Sequence, residues 1–174
     1  QLCSALSFEI AAGALPAGKY QVSVENPAPA GCQSSESLEL LLVPPPQLIS
    51  VNPDLLCLAE DSATLTLSGS GFLEIDGALP LVSVGSLSVP ASSAQDCTEV
   101  MSGVSSCGQL TVELSRGALP PGSYSVTVEN PPPAGCVSTE AVTLAVVDPP
   151  AIEDISPDMF CAEQQDTEIT ISGS

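Results

Sequence analysis

Apolar side chains in this chain recur at every second position. Ala63, Leu65 and Leu67 form one series, then Val82 and Val84, then Leu110, Val112 and Leu114. Tyr124, Val126 and Val128 follow, and Val142, Leu144 and Val146 close the set. A period of two puts alternate side chains on one face, so each series predicts a half-buried strand. Gly, Pro, Asn and Ser separate the series, as in RGALPPG and ENPPPAG, and no stretch sustains a 3.6-residue period long enough for a helix. Seven or so short strands in about 100 residues predict an antiparallel β-sandwich.

The pattern occurs more than once. Residues 13–32 read GALPAGKYQVSVENPAPAGC and residues 117–136 read GALPPGSYSVTVENPPPAGC. Sliding the chain by 104 positions aligns residues 3–70 with 107–174 without a gap and gives 31 identities in 68 pairs. Cys3, Cys32 and Cys57 fall on Cys107, Cys136 and Cys161, Tyr20 falls on Tyr124, and the SGS triplets coincide. A period of this size is one domain, not a solenoid turn. The division that follows is the C-terminal part of one repeat over 1–44, a complete repeat over 45–148 and the first strands of another over 149–174. Such a chain reads as a window on a longer array.

The segments ISVNPD, ATLTLSGSGF, PLVSVG and LTVELSRGALPPGSYSVTVEN resemble the immunoglobulin-like domain shared by plexins and transcription factors, known as IPT or TIG. GSGF and LPPGSYSVTVEN are the most specific pieces. The resemblance implies tandem immunoglobulin-like antiparallel sandwiches of about 104 residues. One departure stands out. DLLCLAEDS and DMFCAEQQD replace the family's glycine-rich segment before the second strand, which puts the first-strand connection in question. Tyr20 and Tyr124 each follow a glycine by two residues at the start of the sixth strand. There a tyrosine hydroxyl closes onto upstream backbone in this fold class, or the ring simply packs in the core.

Composition narrows the function. Two basic residues, Lys19 and Arg116, stand against 21 acidic ones, so the net charge is 2 − 21 = −19, with no histidine. Nucleic-acid binding needs Lys and Arg to neutralise phosphate, and anionic lipid repels such a surface, so neither is an expected partner. General bases, phosphate clamps and hydrolase or dinucleotide motifs are missing, which argues against an enzyme or a cofactor. The longest apolar run, LELLLV, is too short to span a bilayer, and the opening QLCSALSFEI lacks the basic start of a signal peptide.

Seven cysteines in a chain of this size point to an oxidising, extracellular or cell-surface setting. The complete repeat holds four: Cys57, Cys97, Cys107 and Cys136. Cys97 and Cys107 lie ten residues apart in ASSAQDCTEVMSGVSSCGQL, a segment without alternation, and are expected to form a local disulfide; a thiolate metal site lacks both a CxxC pair and histidine. Cys57 precedes the second strand and Cys136 precedes the seventh, at opposite ends of a sandwich. A seven-residue strand spans roughly 23 Å, and disulfide Cα atoms lie within about 7 Å, so closure inside one repeat is not expected. Bridges between successive repeats are the expectation for the Cys57 and Cys136 types, with Cys32 and Cys161 their counterparts and the partner of Cys3 beyond the window.

The junctions VPPPQLISV and VVDPPAIEDI are short and proline-bearing, which favours extended geometry over free coil. Asp148, Glu153, Asp154 and Asp158 near one junction are either an interdomain calcium site or a solvated acidic surface. Asn26, Asn52 and Asn130 precede proline, so none is a glycosylation sequon. The expected function is structural and non-catalytic: a segment of an extracellular fibre, filament or adhesin stalk whose partners are neighbouring repeats or copies of itself, head to tail. The alternative is a ligand- or carbohydrate-binding accessory module of a secreted enzyme or receptor ectodomain. Against it stand five aromatic residues (Phe8, Tyr20, Phe72, Tyr124, Phe160) and no tryptophan.

Overall fold

The computed structural model describes residues 5–57, 62–115, 117–161 and 166–174. Cys3 and Arg116 lie outside the described residues. The chain is all-β, with no helix among the described residues. It carries β1 (Gly18–Val22) and β2 (Leu38–Leu42), then β3 (Gln47–Asn52), β4 (Leu55–Cys57), β5 (Ser62–Ile75), β6 (Leu81–Val84) and β7 (Leu87–Pro90). The remaining strands are β8 (Ser93–Gln95), β9 (Thr98–Met101), β10 (Val104–Ser115), β11 (Gly122–Glu129), β12 (Val142–Val147), β13 (Ile152–Ser156) and β14 (Thr170–Gly173).

Two five-stranded sheets hold the middle of the chain. One runs β3-β5-β10-β8 with β9 also on β10, and the other runs β4-β12-β11-β6-β7. All five alternating series lie in these strands, where the register sets their inward residues opposite one another: Leu110 against Leu67 and Val112 against Leu65 in the first sheet, Val128 against Val82 in the second. Side chains from both sheets form one sealed cluster, with Leu65, Leu67, Phe72, Val82, Leu110, Val126 and Leu144 fully buried. Burying apolar area at about 25 cal/mol per Å² makes this cluster the main source of stability. Every member lies between Leu48 and Val146.

The first-strand connection, left open by the sequence, is a change of sheet. After β3 pairs with β5, the chain turns at Pro53 and β4 runs parallel to β12, with Val147 opposite Cys57. A three-residue strand has too little pattern to be seen in advance.

The count of seven strands is too low, because among the described residues the middle unit contains ten, β3 to β12. The segment around Cys97, expected as an irregular loop, instead contributes β8 and β9, both paired with β10. Its polar residues are held by backbone pairing rather than by an apolar face. β5 is also longer than its alternation indicates, because Gly69 accommodates a shift of register against β3 between Leu48 and Ser50. A Cβ at Gly69 would collide with the Gln47 carbonyl and the Phe72 ring. Gly173 meets the Ala151 carbonyl in the same way, which gives the repeated SGS triplet a steric reason.

Among the described residues the flanks are two-stranded, with β1 paired to β2 and β13 paired to β14. Their local geometry copies the middle unit. Gly18 lies opposite Leu42 as Gly122 lies opposite Val146. Both copies of the proline turn close with an amide bonded to a carbonyl three residues back, Ala30 to Pro27 and Ala134 to Pro131. Cis prolines fall at Ala28-Pro29 and Pro132-Pro133, and at Asn52-Pro53 and Ser156-Pro157.

Candidate functional site

The residues singled out by the sequence collect at the two poles of the middle unit. At one pole β4, β12 and the 117–119 turn converge, and Cys57 sits half-buried in a small cleft with Leu56, Ala63, Leu114, Leu119 and Val146. The 130–141 loop lies at the other pole, beyond the Val142 end of β12, and carries Cys136. The Cys136 thiol donates to the Ala134 carbonyl at 3.5 Å, as Cys32 does to Ala30 at 3.4 Å. Neither Cys57 nor Cys136 is in a disulfide, and Cys32 and Cys161 are also free and exposed.

Cys97 and Cys107 form a disulfide, with Cα atoms 3.9 Å apart. It ties the turn between β8 and β9 to β10, the strand on which both pair. Closing so short a loop contributes about 3 kcal/mol on chain-entropy grounds. Glu74 lies within 4.8 Å of both sulfurs. With the thiols consumed in the bond, that trio offers a single carboxylate and is not a metal centre. No three carboxylates among Asp148, Glu153, Asp154 and Asp158 converge on a common point.

The tyrosines do more than pack. Tyr124 donates its hydroxyl to the Pro120 carbonyl at 2.7 Å, and Tyr20 donates to Pro16 at 2.8 Å. Each bond pins the GALP turn to the strand it enters. The Tyr124 ring also rests on the core, so both expected roles fall on the same residue.

Asn130 was missed as a site. Only 1% exposed, it accepts a bond from the Leu73 amide through Oδ1 and donates through Nδ2 to the Gly71 carbonyl, both at 2.9 Å. It thereby fastens the loop bearing Cys136 to the far end of β5. The signal in the sequence is ENP in both copies, an asparagine directly before the proline turn.

The end of β5 borders the junction with the flank. A cleft of about 490 Å³ is lined by Gly18, Leu41, Leu42 and Val43 on one side and by Gly71, Leu73, Val100 and Ser106 on the other. Pro44 and Pro45 border it and are exposed, whereas Pro46, the third proline of the linker, is buried. Lys19, in the adjacent hairpin, pairs with Glu39 at 3.2 Å across β1 and β2.

None of these features assembles a nucleophile, a general base and an anion hole. What they do is fasten loops to strands at the two poles. No protein-family model matches the chain, and a search of curated proteins finds no match either.

Proposed function

We propose that this chain is a structural, non-catalytic segment of an extracellular fibre, filament or adhesin stalk, built from tandem, disulfide-stabilised immunoglobulin-like β-sandwich domains of the IPT/TIG type. The carrying observation is that one sealed core falls entirely within one sequence period. Its members run from Leu48 to Val146, and the period from 45 to 148. The hairpins belonging to adjacent copies lie outside that core.

Three features support a role in extension. The strand order, with one edge strand changing sheets, suits an immunoglobulin-like sandwich, whose chain enters and leaves at opposite poles. A short linker of three consecutive prolines favours extended geometry and restricts the angle between units. The disulfide and the tyrosine and asparagine ties secure the loops that would carry tension. The disulfide also fits an oxidising setting, and no helix among the described residues is long and apolar enough to cross a membrane. Cys57 and Cys136, free and at opposite poles, are the residues that would bridge successive units. Non-reducing peptide mapping is expected to find the Cys57 type linked to the Cys136 type of the next unit, and a Cys57–Cys136 link inside one unit would refute that pairing.

Electron microscopy of the native material tests the reading. The 14 residues of β5 span roughly 46 Å, so beads at about that spacing along a filament are expected. A compact globule without beads would contradict it.

A further inference from the structure

The disulfide leaves one neighbouring charge without a role. Glu74 places a carboxylate oxygen within 4.8 Å of the sulfurs of both Cys97 and Cys107. That carboxylate has no hydrogen bond or ion pair among the described residues. Sulfur in a disulfide is electron-rich, so an anion beside it gains nothing from the bond. Strand register holds it there. Cys107 lies opposite Phe72 and Ser105 opposite Glu74, so the carboxylate stands two residues along from Cys107 on the same face. Glu99, two residues after Cys97, lies opposite Ser105 from β9. Glu74, Asp76 and Glu99 line one cleft, and no basic residue joins them.

We infer that this cluster is a redox-gated metal site: with the disulfide reduced, the Cys97 and Cys107 thiolates and the Glu74 carboxylate bind one zinc ion. A dithiol reductant opens the bond. Each sulfur of the pair gains one electron and one proton, and the reductant closes to its own disulfide. Zinc then displaces both thiol protons and takes water as its fourth ligand. Tetrahedral zinc, with Zn–S about 2.3 Å and Zn–O about 2.1 Å, holds its ligand atoms roughly 3.4 to 3.8 Å apart. Glu74 already stands close to that range, and the sulfurs part into it once their bond is broken. Two thiolates and one carboxylate select zinc over calcium or magnesium, which take oxygen ligands. A chain of net charge −19 also draws cations to the cleft.

The consequence is mechanical. Cys107 is buried on β10 and Cys97 is exposed in the turn between β8 and β9, so bond and ion tie the same turn to the same strand. The ion secures that turn before the disulfide has formed, and oxidation expels it, because bonded sulfurs no longer serve as thiolate ligands. Binding releases two protons, so affinity falls by about a hundredfold for each pH unit below the thiol range. None of this depends on the chain being part of a fibre.

Cobalt(II), a coloured stand-in for zinc, tests the site on the full chain after reduction with a phosphine and removal of the reagent without air. The phosphine supplies two electrons and takes oxygen from water, whose two protons go to the sulfurs. One equivalent is expected to bind with a thiolate-to-metal charge-transfer band, and the oxidised chain is expected to show none. Cys97→Ser and Cys107→Ser should each weaken binding by about a hundredfold, and Glu74→Gln by more than about tenfold. Replacing Cys57 and Cys136 together by serine should leave it unchanged. Oxidised Glu74→Gln keeps the disulfide, and its amide protection should match the unmodified chain, which shows that the variant folds. Zinc should also restore to the reduced chain the protection over residues 93–101 that reduction removes. A reduced chain that takes up no cobalt, or binding that survives Cys97→Ser or stays at full strength in Glu74→Gln, overturns the site.

Discussion

Leu65 and Ile169 occupy equivalent places 104 residues apart, yet the first is sealed and the second is 44% exposed. Leu65 lies in β5 and Ile169 directly before β14, and both belong to a two-residue apolar alternation. The difference lies in what surrounds them. Leu65 has β3 and β10 on its two edges and the second sheet across the core, whereas the strand after Ile169 has only β13. Alternation thus marks which face a strand will bury. Burial itself depends on long-range partners.

The comparison can be broken by substituting matched pairs. Leu65→Ala should destabilise the chain by about 3 kcal/mol, because it removes apolar area and leaves a cavity, and Ile169→Ala by less than about 0.5 kcal/mol. Urea titration read by the change in midpoint checks both, and equal losses would dissolve the distinction. Reducing Cys97–Cys107 should cost about 3 kcal/mol at most and loosen β8 and β9 first, seen as faster hydrogen exchange over residues 93–101.

Asn130→Ala strands the Leu73 amide and the Gly71 carbonyl, for an expected loss of about 2 kcal/mol. Asn26→Ala, at an exposed position, should change stability by under about 0.5 kcal/mol. Tyr124→Phe deletes a single bond to Pro120 and should cost about 1 kcal/mol, and Tyr20→Phe less, both measured by thermal unfolding.

Period-two spacing is a local property, so the strands carrying Leu65, Val82, Leu110, Val126 and Leu144 were legible from the sequence. So was the local disulfide, from two cysteines ten residues apart in a segment without alternation. β4, β8 and β9 were not legible, since each is short and exists because a longer strand offers an edge. Nor was the length of β5, where Gly69 permits a register shift that alternation cannot encode. Asn130 escaped notice because its value lies in partners 57 and 59 residues away. The junction cleft was likewise hidden, because it is lined by residues of β1 and β2 and of the end of β5 that lie far apart in sequence.

Residue-resolved hydrogen exchange on the intact chain in dilute solution tests the central claim most directly. The account predicts that core amides of β5, β6, β10, β11 and β12 share one high opening free energy, with β1, β2, β13 and β14 exchanging far faster. Uniform protection from β1 to β14, opening together as one body, would contradict it.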